Sequence, residues 1–288
     1  MRTNDLCATL RPPLTPPLKW AGGKRWLVPH LEPIWQRYKN HRLVEPFCGG
    51  LAVVLGLQPR QALLNDINPH PVNFYWWLQQ GLVIGNPMEN DPDFYYARRA
   101  EFNLLIQQQL GQSQRSAELF YYLNRTGYNG LCRFNKKGGY NVPFGRYKKI
   151  NYRQDFRDYC ATLQNWRFDH QDFVDLPIKP DDFIYADPPY DVAFRQYSQQ
   201  GFDWPDQERL AHWLAAHSGP VIASNQKTPR IVELYTSLGF KLKFLEGPRR
   251  ISCTGDRANA QEILALRGID AAVCGLIPSS SNGLGRSA

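Results

Sequence analysis

The chain has 288 residues, 43% hydrophobic and 21% charged, the composition of one large folded domain or of one domain carrying a smaller insertion. No apolar run approaches the roughly 18 to 20 residues of a membrane span, and the Pro-rich stretch 1–17 lacks the apolar core of a secretory signal. The six cysteines and six histidines form neither C-x-x-C nor H-E-x-x-H, so a disulfide framework and a bound metal are disfavoured and a cytoplasmic setting is expected.

In chain order, Lys19-Trp20-Ala21-Gly22-Gly23-Lys24 superficially looks like a phosphate loop but lacks the required spacing, which leaves a nucleotide triphosphatase poorly supported. Short apolar runs at 43–47, 62–65, 183–186, 221–223, 242–245 and 263–266 read as buried strands. A helix over 51–57 follows the first. Later helices open near Trp204-Pro205 and at Thr228-Pro229, the second closing at Gly239. Strands alternating with helices predict an α/β fold with a mostly parallel, Rossmann-like sheet. Residues 69–153 break that rhythm. They are Gln-rich, aromatic and partly helical (94–110 and 117–123), and read as a largely helical insertion between two halves, 15–68 and 154–268, of the α/β domain. Residues 1–14 and 269–288 read as flexible termini.

Charge is distributed unevenly. The net charge is +8, and residues 125–153 hold eight bases and no acid, leaving 26 bases against 26 acids elsewhere. The same stretch carries Tyr128, Phe134, Tyr140, Phe144, Tyr147 and Tyr152. Bases neutralise phosphates and aromatics stack on or wedge between nucleobases, so nucleic acid is favoured over a merely solvated loop. Gly and Asn signals over Tyr128–Asn135 suggest a hairpin tip.

Two constellations carry chemistry. Glu45-Pro46-Phe47-Cys48-Gly49-Gly50 follows the first strand, and Asp66 closes the next strand 21 residues on from Glu45. A glycine turn with such an acid suits a nucleoside-containing cofactor, although Asp66 also fits a helix N-cap. The sharper signal is Asp187-Pro188-Pro189-Tyr190 at the end of Phe183–Ala186. Paired prolines stiffen the turn. The Asp187 carboxylate and the Pro188 carbonyl can then converge on one exocyclic amine, with the Tyr190 ring beside it. Holding both N–H bonds frees the nitrogen lone pair from conjugation, so that it can attack an electrophile.

Taken together, Lys19–Lys24, Glu45–Gly49, Asp66, Asn124–Asn135, Asn141–Lys149 and Asp187–Tyr190 resemble, in order, the GATC-reading Dam family of DNA adenine-N6 methyltransferases, over residues 18–268. The resemblance implies S-adenosyl-L-methionine as cofactor, with Trp20, Lys24, Asp66 and Asp187 at its site, Glu45, Phe47 and Gly49 in its turn, and Asp172-Phe173 near its adenine. It implies double-stranded DNA as partner and the insertion as target-recognition domain. Lys19, Leu131, Arg133 and Pro143 match base-reading positions, and Tyr128 and Asn129 those that wedge into the duplex. Arg125, Asn135, Arg146 and Tyr147 complete the DNA-binding set. Catalysis would rest on Asp187, Pro188, Pro189 and Tyr190, with the target base flipped out of the duplex. A monomer would suffice, at the nucleoid. One departure stands out: the family's second turn glycine falls on Leu51, just after Gly50.

Overall fold

A computed structural model describes residues 14–191, 202–247 and 260–275. Seven strands form one sheet in the order β3-β2-β1-β4-β5-β7-β6. They are β1 (Leu43–Glu45), β2 (Ala62–Asn65), β3 (Trp166–Asp169), β4 (Phe183–Ala186), β5 (Val221–Gln226), β6 (Lys241–Gly247) and β7 (Ala260–Arg267). β3, β2, β1, β4 and β5 run parallel, and β7 runs antiparallel between β5 and β6. The sequence-predicted runs at 43–47, 62–65, 183–186, 221–223, 242–245 and 263–266 all become strands.

The apolar runs are continuous because both faces of the sheet are covered. Alternate residues feed opposite layers: Leu43, Leu64, Phe183, Tyr185, Ile222 and Leu264 join one core, and Val44, Leu63, Ile184, Ala186, Val221 and Ile263 the other. Helices α1 (Val28–Tyr38), α2 (Ala52–Leu57) and α3 (Pro69–Gln79) cover the first face. Two further helices cover the second: α7 (Trp204–Ala216), capped by Asp203, and α8 (Pro229–Ser237), capped by Thr228 and closed by Gly239 at φ +79°. β3 escapes the apolar-run signal because it is an edge strand, with Arg167 exposed between buried Trp166 and Phe168. α1 escapes because Pro33 interrupts its interior and Leu27 offers no capping side chain.

Between β2 and β3 lie α3, α4 (Pro92–Gln107) and α5 (Gln114–Thr126). The first of these is bound to the sheet. Trp76 Nε1 donates to the Phe168 carbonyl, and Gln79 Nε2 to the carbonyls of Leu163 and Trp166. After the short α6 (Cys160–Leu163) and the last strand, α9 (Ala271–Cys274) forms a short helix in the Ser/Gly-rich tail, where the composition predicts none. The remaining terminal residues, 1–13 and 276–288, lie outside the described ones.

At the carboxyl edge, Asn65 joins three segments. Its Nδ2 donates to the carbonyls of Pro46 and Gln171 at 3.0 Å each, and its Oδ1 accepts the Gln171 N–H at 3.0 Å. Asn65 is fully buried. Asn65→Ala removes all three bonds and strands two carbonyls, so urea unfolding should show a loss of roughly 2 to 4 kcal/mol. A loss below about 1 kcal/mol would mean that water replaces the side chain.

Candidate active site

The strand order reverses between β1 and β4, and the carboxyl ends of strands at such a point splay to leave a crevice. Asp187 leaves β4 there. Its Oδ1 accepts the Ser224 hydroxyl at 2.7 Å and lies 3.3 Å from the Lys24 ammonium. No hydrogen bond from a described residue reaches its Oδ2. The proline turn is held from outside: Gln207 Nε2 donates to the Pro189 carbonyl at 2.8 Å, and Gln207 Oε1 accepts from Asn225 Nδ2 at 2.9 Å. Tyr190 donates its hydroxyl to Glu262 Oε2 at 2.6 Å, and its ring lies 4.5 Å from Lys24 Nζ. Asp191 ends the turn in an ion pair with Arg230.

Beside this turn is a cavity of about 490 Å³ whose walls include Trp20, Lys24, Glu45, Phe47, Gly49, Asp66, Asp187 and Tyr190. The two glycines make room for the Trp20 side chain. A Cβ at Gly49 would stand 2.6 Å from Trp20 Nε1, and one at Gly50 2.7 Å from Trp20 Cβ. Asp66 accepts from the backbone N–H of Gly49 at 3.2 Å and of Asn68 at 2.9 Å. Burial raises its pKa to about 6, against the pull of those two bonds. The N-cap is Asn68, whose side chain accepts the His70 N–H, so Asp66 is free of that duty. Glu45 is buried, its Oε1 without a partner among the described residues. Burial and then the Asp187 charge hold its carboxyl well above the ordinary range. Asp172 and Phe173 line an adjoining cavity of about 320 Å³ that shares Phe47 and Pro189 with the first. Arg209 pairs with Asp172 at 2.9 Å and lies over the Phe173 ring.

The basic segment meets the same crevice through Lys19. The Lys19 N–H donates to Asn124 Oδ1 and the Lys19 carbonyl accepts from Asn124 Nδ2, both at 2.8 Å. Its ammonium donates to the Arg125 carbonyl at 2.7 Å and sits 3.6 Å above the Tyr147 ring. Burial, then the Arg125 charge, lowers its pKa to about 8. Gly130 and Leu131 reach the cavity wall, whereas Tyr128 and Asn129 are exposed and Asn129 is left-handed at φ 51°. Pro143 is exposed and its carbonyl accepts the Tyr128 N–H at 2.9 Å. Arg146 is also exposed. The expected tip over Tyr128–Asn135 is displaced: Phe134 pairs with Tyr140, and the turn spans 135–139. Asn135 closes it, its Oδ1 accepting from Lys137 N and Gly139 N, so this residue serves the turn. Arg133 lies at the hairpin's base, where its Nε donates to Asn141 Oδ1 at 2.7 Å and its Nη2 to the Asn141 carbonyl at 3.1 Å.

Residues 20–251 match the family of D12 class N6 adenine-specific DNA methyltransferases. The chain belongs to that family. The DNA adenine methylase of Escherichia coli K12 is 36% identical over 273 residues, covering 86% of this chain and 94% of that protein. The Vibrio cholerae DNA adenine methylase is 35% identical over 277 residues, with the same coverage. The retron Ec67 DNA adenine methylase of Escherichia coli is 34% identical over 271 residues, covering 87% and 90%. The methyltransferase therefore acts on adenine in DNA, with S-adenosylmethionine as methyl donor. The crevice suits that donor. It offers an aromatic, glycine-floored wall, a half-buried acid at a strand end and, in Glu45, a buried acceptor without a partner among the described residues.

Sequence reasoning misses Ser224, Gln207, Asn225 and Glu262, which hold the motif from behind. The available signal is Ser224-Asn225 directly after the apolar Val221–Ala223, polar residues at the carboxyl end of a central strand. Among the described residues no group of three His, Cys, Asp or Glu converges to hold a metal, and no helix is long and apolar enough to cross a membrane.

An Asp66 that accepts ribose hydroxyls must be ionised. Cofactor affinity should therefore be constant above pH 7 and fall as pH drops through about 6. Asp66→Ala should cost roughly 1.5 to 3 kcal/mol of binding at neutral pH and abolish that dependence. Calorimetric titration with S-adenosylmethionine at pH 5.5 and 7.5 checks both, and an affinity indifferent to pH and to the substitution would confine Asp66 to the turn.

Proposed function

We propose that the methyltransferase modifies adenine N6 within GATC, after flipping that base into the pocket formed by Asp187, Pro188, Pro189 and Tyr190. The observation that carries this reading is the half-occupied carboxylate. Ser224 and Lys24 hold Asp187 Oδ1, which leaves Oδ2 to accept from an incoming donor. No described residue donates to the Pro188 carbonyl next to it. These two acceptors take the two N–H bonds of the adenine amine, and the Tyr190 ring stacks on its heterocycle. The nitrogen lone pair is thereby withdrawn from conjugation. Asp187 takes up the proton that the methylated amine sheds and passes it to solvent. An adenine stacked in a duplex cannot reach such a crevice, which is the reason for flipping.

Trp20, Lys24, Glu45, Phe47, Gly49 and Asp66 would hold the cofactor, with Asp172 and Phe173 around its adenine. Bound there, S-adenosylmethionine supplies an electrophilic methyl carbon. Residues 69–153 act as the recognition domain, with α3 as its root on the sheet. Tyr128 and Asn129 wedge into the duplex, Lys19, Leu131, Arg133 and Pro143 read bases, and Arg125, Arg146 and Tyr147 hold the backbone. One copy carries every residue this reading uses, so the working unit is a monomer, acting at the nucleoid.

Incubation of unmethylated DNA with enzyme and S-adenosylmethionine, followed by mapping of modified bases, tests the site. Methylation spread beyond GATC would overturn it. Asp187→Ala should slow methyl transfer by roughly 10² to 10³ while duplex affinity is retained. Near-normal single-turnover rates would remove this carboxylate from the chemistry.

Arg133 and Lys148 separate reading from mere attraction. Asn141 orients the Arg133 fork, which suits the O6 and N7 acceptors of guanine. Lys148 is exposed in a run with the charge density of a backbone contact. Arg133→Ala should cost roughly 1 to 3 kcal/mol on GATC and little on single-base variants. Lys148→Ala should weaken all duplexes alike and flatten the salt dependence by about one phosphate. Affinities at two salt concentrations decide, and a uniform loss for Arg133→Ala would make the segment a nonspecific clamp.

A further inference from the structure

Glu262 enters the site from β7, far along the chain from any motif that suggests this chemistry. It is almost wholly buried, and the β-pairing sets it opposite Leu245 of β6 and Gln226 of β5. Its carboxylate has two neighbours at the site. Oε2 accepts the Tyr190 hydroxyl at 2.6 Å, and the same oxygen lies 4.0 Å from Lys24 Nζ, which is itself 3.3 Å from Asp187 Oδ1. The space it occupies is set by backbone: a Cβ on Gly247 would stand 2.6 Å from Glu262 Oε1. The side chain is therefore confined between strand, tyrosine and ammonium.

We propose that Glu262 is a positioning residue for methyl transfer: through the Tyr190 hydroxyl and the Lys24 ammonium it fixes the tilt of the tyrosine ring and the placement of the Asp187 carboxylate. The inference rests on the reading above, in which Tyr190 receives the flipped adenine. A tyrosine ring on a turn can rotate about its side-chain torsions unless its far end is tethered. Glu262 supplies the tether, and a ring held at one tilt holds the stacked base at one height relative to Asp187 Oδ2. Lys24 is shared between the two carboxylates, so a displaced Glu262 also releases the ammonium that steadies Asp187. Glu262 touches neither the target base nor the reacting atoms, and its effect belongs to the rate and not to either affinity.

The test compares Glu262→Ala, Glu262→Gln, Tyr190→Phe and the double variant Glu262→Ala/Tyr190→Phe in single-turnover methylation, with dissociation constants for cofactor and duplex. Glu262→Ala and Tyr190→Phe should each slow transfer roughly 10- to 100-fold, with both dissociation constants within about twofold of the parent. The double variant should be no slower than the slower single one, because both break one interaction. Glu262→Gln keeps an acceptor for the hydroxyl and should recover most of the rate. A 2-aminopurine at the target position should fluoresce more brightly in Glu262→Ala, as stacking on Tyr190 loosens. Full-speed transfer by Glu262→Ala, or losses that multiply in the double variant, would overturn the inference. Should Glu262→Ala fail to fold, Tyr190→Phe breaks the same bond without touching β7, and its full activity would be equally decisive. Tyr190→Ala separates the two readings: normal turnover there defeats the assignment of Tyr190 itself, whereas a crippled Tyr190→Ala beside a fully active Glu262→Ala defeats only the role of Glu262.

Discussion

A buried ammonium is tolerated only where anions and carbonyls replace its water, and Lys24 sets that demand at the centre of this molecule. It is 5% exposed and meets it with Asp187, Glu262, the Gly22 carbonyl and the face of Tyr190. Lys24 closes a six-residue segment whose other end, Lys19, is clasped by Asn124 through its own N–H and carbonyl. Between them Trp20 lies against Gly49 and Gly50. One short stretch thus touches the basic segment, the glycine turn and the proline motif, and the position of each depends on the other two.

The sheet makes this convergence affordable in free energy. Its central strands β1, β2, β4 and β5 are buried on both faces, so polar residues gather at their carboxyl ends: Asn65 closing β2 and Asp66 just after it, Asp187 after β4, and Ser224 and Asn225 near the end of β5. There they bond one another and backbone carbonyls. The antiparallel β7 adds Glu262 from its first residues, because reversing its direction brings its start, not its end, to the same edge.

Legibility in the sequence follows the same division. The continuous apolar strands are readable because two-sided burial leaves no alternative pattern, and Asp187–Tyr190 is readable because consecutive prolines after a strand serve few purely structural ends. β3 is not, since a half-exposed edge strand with Arg167 in it resembles many loops. The hairpin tip is misplaced by several residues, because Gly and Asn occur at both 127–130 and 135–139 and only the Asn135 side-chain bonds select between them. Glu262 and Gln207 are invisible to motif reasoning: each acts through a register or a helix face that exists only once the sheet has closed.

Leu51 carries a last consequence. It occupies the left-handed region at φ 61° and is wholly buried, at the position where the Dam pattern has its second glycine. The left-handed backbone costs a non-glycine residue roughly 1 to 2 kcal/mol. Burying a leucine side chain returns about 1.5 to 3 kcal/mol. The two terms are of one size and opposite sign, so glycine and leucine at this turn are close to isoenergetic. At this turn Leu51 therefore gives up backbone ease and gains core volume in about equal measure.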